Sequence, residues 1–231
     1  MKQRVEDRLQ NMRQQFRDPL LTVLTLLLVV LLFVVAPLDA AGVVVFQGFG
    51  FIVALVMFGC ALVVSASSMA LSALLVAFCM NAAAAILRIL HGHSSLDIYL
   101  VAGAWFILAV TLGWVVARAV FAAGRVNYHR IIGAVLLYLL IGLLFVSLFV
   151  FIGALIPKPF TGVAVEDNNA LASNLIYFSF VTLTSTGYGD IAPLHPIARS
   201  LCNLETIIGQ LYPATLLARL VTLEIESRRQ S

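Results

Sequence analysis

Long apolar runs alternate with short polar breaks along this chain, at intervals that match the thickness of a lipid bilayer. Helices of about 20 residues are needed to cross a hydrocarbon core of about 30 Å, and runs of that kind occupy residues 19–38, 43–65, 68–90, 97–121, 131–156 and 195–222. The polar breaks are PLDAAG, a gap near Ser65 to Ser68, HGHSSLD and the linker AAGRVNYHR. Between the last two runs, Leu171 to Thr184 is apolar and helical in character but only about 14 residues long, or roughly 21 Å at the helical rise. Such a segment is too short to cross, so it is expected to dip in and return as a re-entrant helix. Irregular backbone at membrane depth is tolerated only inside protein or beside a water-filled cavity, and the loop after this helix is of that kind. The predicted fold class is an all-α membrane protein with six transmembrane helices, a re-entrant helix and a functional loop.

Composition agrees. Of 231 residues, 62% are hydrophobic and 11% charged, and the mean hydropathy is +1.05, which leaves no polar surface for a water-soluble domain. The net charge of +3 is small and scattered, which argues against a nucleic-acid partner. Its placement is more informative: with a cytoplasmic N-terminus and six spans, eleven of the fourteen Lys and Arg residues fall inside. Only Arg88, Lys158 and Arg199 fall outside. Both termini are therefore expected in the cytoplasm. Residues 1–18 carry Val5, Leu9, Met12 and Phe16 at helical spacing, suiting an amphipathic helix at the membrane surface. Their length and acidic residues favour a retained anchor over a signal peptide. Cys60, Cys79 and Cys202 lie in apolar runs without metal-ligand spacing.

The loop reads TLTSTGYGD, Thr182 to Asp190. A dehydrated cation needs oxygen atoms in place of water, and a ring of backbone carbonyls supplies them. Successive carbonyls point the same way when residues alternate between right- and left-handed conformations. Gly187 and Gly189 take positive φ at little cost, while Thr186 and Tyr188 turn their side chains outward.

Ser185-Thr186-Gly187-Tyr188-Gly189-Asp190 resembles the potassium-channel signature, usually Thr-Val-Gly-Tyr-Gly-Asp, and YFSFVTLT before it resembles the pore helix of that family. The resemblance covers roughly residues 130–222. It implies an outer helix, a pore helix at 171–184, a selectivity filter at 185–189 and an inner helix at 195–222, together a pore domain over 131–222. It also implies that the carbonyls of Ser185, Thr186, Gly187 and Tyr188 line K+ sites, with the Ser185 hydroxyl completing the innermost. Gly189 closes the filter. Tyr177 and Phe178, with Tyr188, are implied as an aromatic cuff, and Thr182, Thr184 and Asp190 as further support. Ser185 departs from the usual threonine, losing the methyl that restricts its rotamer. Thr186 departs from valine or isoleucine and brings a hydroxyl that needs a partner. No second GYG exists in the chain, so a four-strand ring implies three further identical subunits. The K+ ions are cargo, and no organic cofactor is implied.

Gly209 lies where related channels carry a hinge glycine, and Pro213 one turn later favours a bend; packing alone is the competing role. Glu205 is an acid inside an expected span. It has three open roles: a hydrogen bond behind the filter, a cavity charge, or a proton sensor. Protonation of His195 near the mouth would repel cations, against a plain surface role, which also competes for His91 and His93. Glu166 and Asp167, with Asp190, would make the outer mouth acidic, the alternative for the first two being a solvated turn.

Residues 19–121 resemble a voltage-sensor module without gating charges, since the fourth span carries only Arg118, at its cytoplasmic end. Steep voltage gating is therefore not expected. Arg88 is expected to snorkel to the outer interface, and Asn81 to make an interhelical hydrogen bond. After the linker 122–130 and the pore domain, a short cytoplasmic tail, 223–231, is expected, without a soluble regulatory domain. The expected function is a homotetrameric, potassium-selective channel embedded in lipid, of a type that implies a bacterial inner membrane. The alternatives are a weakly selective cation channel, a membrane-embedded enzyme or an accessory subunit. The enzyme reading lacks a nucleophile–base pair and a His-Glu-x-x-His motif.

Overall fold

The computed structural model of the protein describes residues 21–43, 59, 68–91, 95–121, 128–163 and 169–229. Its helices are α1 (Leu21–Ala40), α2 (Ser68–His91), α3 (Ser95–Val120), α4 (Tyr128–Leu155), α5 (Asn169–Leu183) and α6 (Pro196–Arg229). Among the described residues, four helices are long and apolar enough to cross a membrane, namely α1 to α4. The expected second span, 43–65, and Cys60 lie outside the described residues, as do Glu166, Asp167 and His93.

Helix α1 runs through Pro37, where a polar break was expected. Pro37 has no N–H to offer the Phe33 carbonyl. The ladder widens to a π turn over Leu31–Val35, with the Ala36 N–H reaching back to the Leu31 carbonyl, and the helix continues to Ala40. Helices α2, α3 and α4 pack side by side. Ala77, Trp105, Leu108, Leu112, Leu136 and Leu140 are buried among them.

Two polar expectations in this part change. Arg88 does not simply snorkel: its Nε lies 3.0 Å from Asp97 Oδ2, with Arg88 47% and Asp97 0% exposed. A carboxylate buried at the start of α3 needs a cation and donors, and Asp97 obtains them from Arg88 and from the Ile98 N–H at 3.1 Å. Asn81 is buried as expected for a packed polar residue, but its Nδ2 has no hydrogen-bond partner among the described residues.

The short helix α5 is wedged between α4 and α6, with the end of α1 against its outer side, where the Phe33 and Phe180 rings meet edge-on at 5.1 Å. Gly142 of α4 makes this wedge possible, since a Cβ there would come within 2.7 Å of the Phe180 ring. The all-α expectation missed one small feature. Strand β1 (Phe160–Thr161) pairs antiparallel with β2 (Ala192–Pro193), Phe160 opposite Pro193. This strand pair ties the end of α4 to the start of α6 and closes the loop around α5. Helix α6 continues to Arg229, so most of the expected tail extends this helix instead.

Candidate functional site

The site is built where α5 stops. Two backbone bonds end the helix in a Schellman arrangement: Thr186 N–H donates to the Val181 carbonyl at 2.9 Å, and Ser185 N–H to the Thr182 carbonyl at 3.0 Å. That motif requires a left-handed residue just past the helix, and Ser185 occupies it with φ 58°. Ser185, the first residue of the expected filter, is thus also the helix stop. Gly187 and Gly189 follow with φ 58° and 84°, so left-handed residues recur at alternate positions. Among the described residues, nothing donates a hydrogen bond to the carbonyls of Ser185, Thr186, Gly187 or Tyr188. Residues 184–190 are exposed in the single chain.

Side chains brace this strand from one side. The Tyr177 ring stacks on Tyr188 at 6.3 Å and 4° between planes, and its hydroxyl donates to Asp190 Oδ1 at 3.0 Å. Thr184 donates to the Phe180 carbonyl at 2.7 Å, and its Oγ1 lies 2.8 Å from Thr186 Oγ1. Thr184 has spent its one proton, so Thr186 is the donor between them. The extra hydroxyl of Thr186 thereby has a partner. Thr182 Oγ1 donates to the Phe178 carbonyl at 2.8 Å.

Phe178 turns away from the loop of its own chain. It is buried against Phe149 and Phe160, at 4.9 and 5.3 Å between ring centroids. Successive residues on a helix point about 100° apart, so Tyr177, stacked on Tyr188, and Phe178 occupy different faces of α5. Phe178 anchors α5 to the outer helix and hairpin.

The inner helix α6 lies against the end of α5. Thr206 Oγ1 donates to the Thr182 carbonyl at 3.3 Å. Tyr138 of α4 reaches the Leu183 carbonyl at 3.4 Å. Gly209 is pressed so closely on the Leu183 carbonyl oxygen that a Cβ would overlap it. Gly209 therefore has a packing role against the end of α5, and α6 passes through Gly209 and Pro213 as one continuous helix. Its Pro213, lacking an N–H, leaves the Gly209 carbonyl without its usual helical donor.

Glu205 is fully buried, with Oε1 2.6 Å from Ser179 Oγ; Ser179 Oγ also lies 2.9 Å from the Gly142 carbonyl. The acid thus stands behind α5. Its Oε2 has no partner among the described residues. His195 caps α6: its Nδ1 accepts the Ile197 N–H at 3.2 Å, and Pro196 follows at the first helical position. Sequence reasoning missed three contributors. Ser179 was a lone hydroxyl in the apolar run YFSFV, Tyr138 had no local signal, and Gln210, one residue after Gly209, donates its Nε2 to Ser185 Oγ at 2.8 Å.

A family model described as an ion channel matches residues 134–225. Protein LctB of Bacillus caldotenax is 34% identical over 58 residues, which is 25% of this chain and 42% of that relative's own length. No solved structure matches the chain. The matched segment runs from α4 through α5 and the loop after it to most of α6, the elements just described. Over residues 134–225 the chain is therefore similar to the ion-channel family.

Proposed function

We propose that this chain is one of four identical subunits of a potassium-selective channel that passes K+ down its gradient. One observation carries the reading: left-handed residues alternate at Ser185, Gly187 and Gly189, beside carbonyls to which nothing among the described residues donates. That is the backbone a dehydrated cation needs on one side. Cyclic symmetry completes the ring. Ile197, Leu204, Ile207 and Leu211 lie on one face of α6 and are exposed, an apolar surface that suits further copies of the chain.

K+ is the substrate, held by the carbonyls of Ser185, Thr186, Gly187 and Tyr188 and, at the innermost site, by the Ser185 hydroxyl. In this reading α6 is a further span, the expected span at 43–65, which lies outside the described residues, would be the sixth, and both ends would lie in the cytoplasm. The stretch α1 to α3 supports the pore from outside, α1 directly against α5. Arg118 lies over the Trp114 ring at 5.0 Å, at the cytoplasmic end of α3. Without further arginines along that helix, a change in membrane potential does little work on it.

The test is bi-ionic reversal potentials of the purified protein in bilayers, with cross-linking to count chains. The expected result is strong preference for K+ over Na+ and a cross-linked ladder that ends at four. Equal passage of both ions would instead favour the weakly selective channel to which Ser185 and Thr186 point. Absence of any flux would sink the channel reading.

A further inference from the structure

We infer that Gln210 is a positioning residue for the innermost cation site, its side-chain amide holding the Ser185 hydroxyl in the orientation a cation ligand needs. The inference rests on the channel reading above. Ser185 carries the hydroxyl of that site on a side chain without a γ-methyl, so χ1 has three staggered wells open to it. Its backbone is set by the helix stop, at φ 58°, which weights these wells without fixing one. The bond from Gln210 Nε2 at 2.8 Å fixes one.

Gln210 is well placed to act this way because its own position is tightly determined. Its neighbour Gly209 is in steric contact with the Leu183 carbonyl. One turn earlier, Thr206 is bonded to the Thr182 carbonyl at 3.3 Å. The α6 backbone is thus registered against the last turn of α5, and the glutamine side chain spans from one to the other. The amide N–H occupies one lone pair of Ser185 Oγ and leaves the second for an ion. A hydrogen bond from a neighbouring helix therefore supplies the restraint that a branched side chain would supply internally. Four such pairs would surround the axis.

The experiment measures block of K+ current in planar bilayers by Ba2+, added on the side where α6 ends. Ba2+ is close to K+ in size with twice the charge, so it reports on the innermost oxygen site. Gln210→Met keeps the length and removes the donor. It is expected to raise the half-blocking concentration by at least about three- to tenfold, the effect of one neutral hydrogen bond, because every subunit loses one, with K+ current retained. Ser185→Ala is expected to weaken block as well, and Gln210→Met added to it to change nothing further, as coupled residues require. Ser185→Thr in the Gln210→Met background is expected to restore block, which a merely structural glutamine would not allow. Should Gln210→Met not assemble, Gln210→Asn, one methylene too short to reach, takes its place. Additive effects in the double variant, or block that is absent or indifferent to Gln210 in a conducting channel, overturn this inference alone. A wild type without K+ current overturns the channel reading and this inference together.

Discussion

Ser179 stands between Glu205 and Gly142, with its Oγ 2.6 Å from the Glu205 carboxyl and 2.9 Å from the Gly142 carbonyl. One hydroxyl has one proton. A protonated carboxyl would supply the second, and the prediction is that the junction of α4, α5 and α6 is held by a neutral acid. Glu205→Gln, which also offers a donor, is expected to leave thermal stability within about 1 kcal/mol, whereas Ser179→Ala strands a buried partner at a cost of about 1–3 kcal/mol. Thermal unfolding of the purified variants in detergent compares them directly. A glutamine variant as unstable as Ser179→Ala would contradict the neutral assignment.

The bond between Tyr177 and Asp190 predicts a graded response. Tyr177→Phe removes the 3.0 Å hydrogen bond and keeps the stack on Tyr188. It is expected to cost about 0.5–1.5 kcal/mol and to shorten the conducting periods of single channels. Tyr177→Ala removes both supports and is expected to abolish conduction. Single-channel records in symmetric K+ would show the order, and equal behaviour of the two variants would refute it.

At Gly209, a hinge and a packing contact make opposite forecasts. Because the Leu183 carbonyl fills the space of a Cβ, Gly209→Ala is expected to destabilise the folded protein by about 1–3 kcal/mol, the usual cost of overpacking. Pro213→Ala restores a helical donor and is expected to be neutral or stabilising. Folded yield after detergent extraction is the measurement. A fully folded Gly209→Ala protein with altered opening would favour the hinge.

Arg88→Ala leaves the Asp97 carboxylate buried with one partner fewer. The expected loss is about 1–3 kcal/mol, less than for a fully buried pair because Arg88 is half exposed. Replacing Asp97 by Asn in the same protein is expected to recover part of it, read again by thermal unfolding.

The sequence by itself determined what depends on local period and length. Spans near 68–90, 97–121 and 131–156 appear as α2, α3 and α4 within a few residues, because hydropathy and helical rise act on contiguous residues. The glycines of GYG foretold positive φ, and the structure has it at both. Tertiary structure decided the partners. That Ser185 would be left-handed, that Phe178 would face away from the filter, and that Arg88 would meet Asp97 depend on helix ends and faces brought together by packing. So do the pairings of Ser179 with Glu205 and of Ser185 with Gln210, whose members stand 26 and 25 residues apart. A polar side chain buried in a membrane protein takes whatever donor or acceptor the neighbouring helix presents, and which helix that is cannot be read from the residues beside it in the chain.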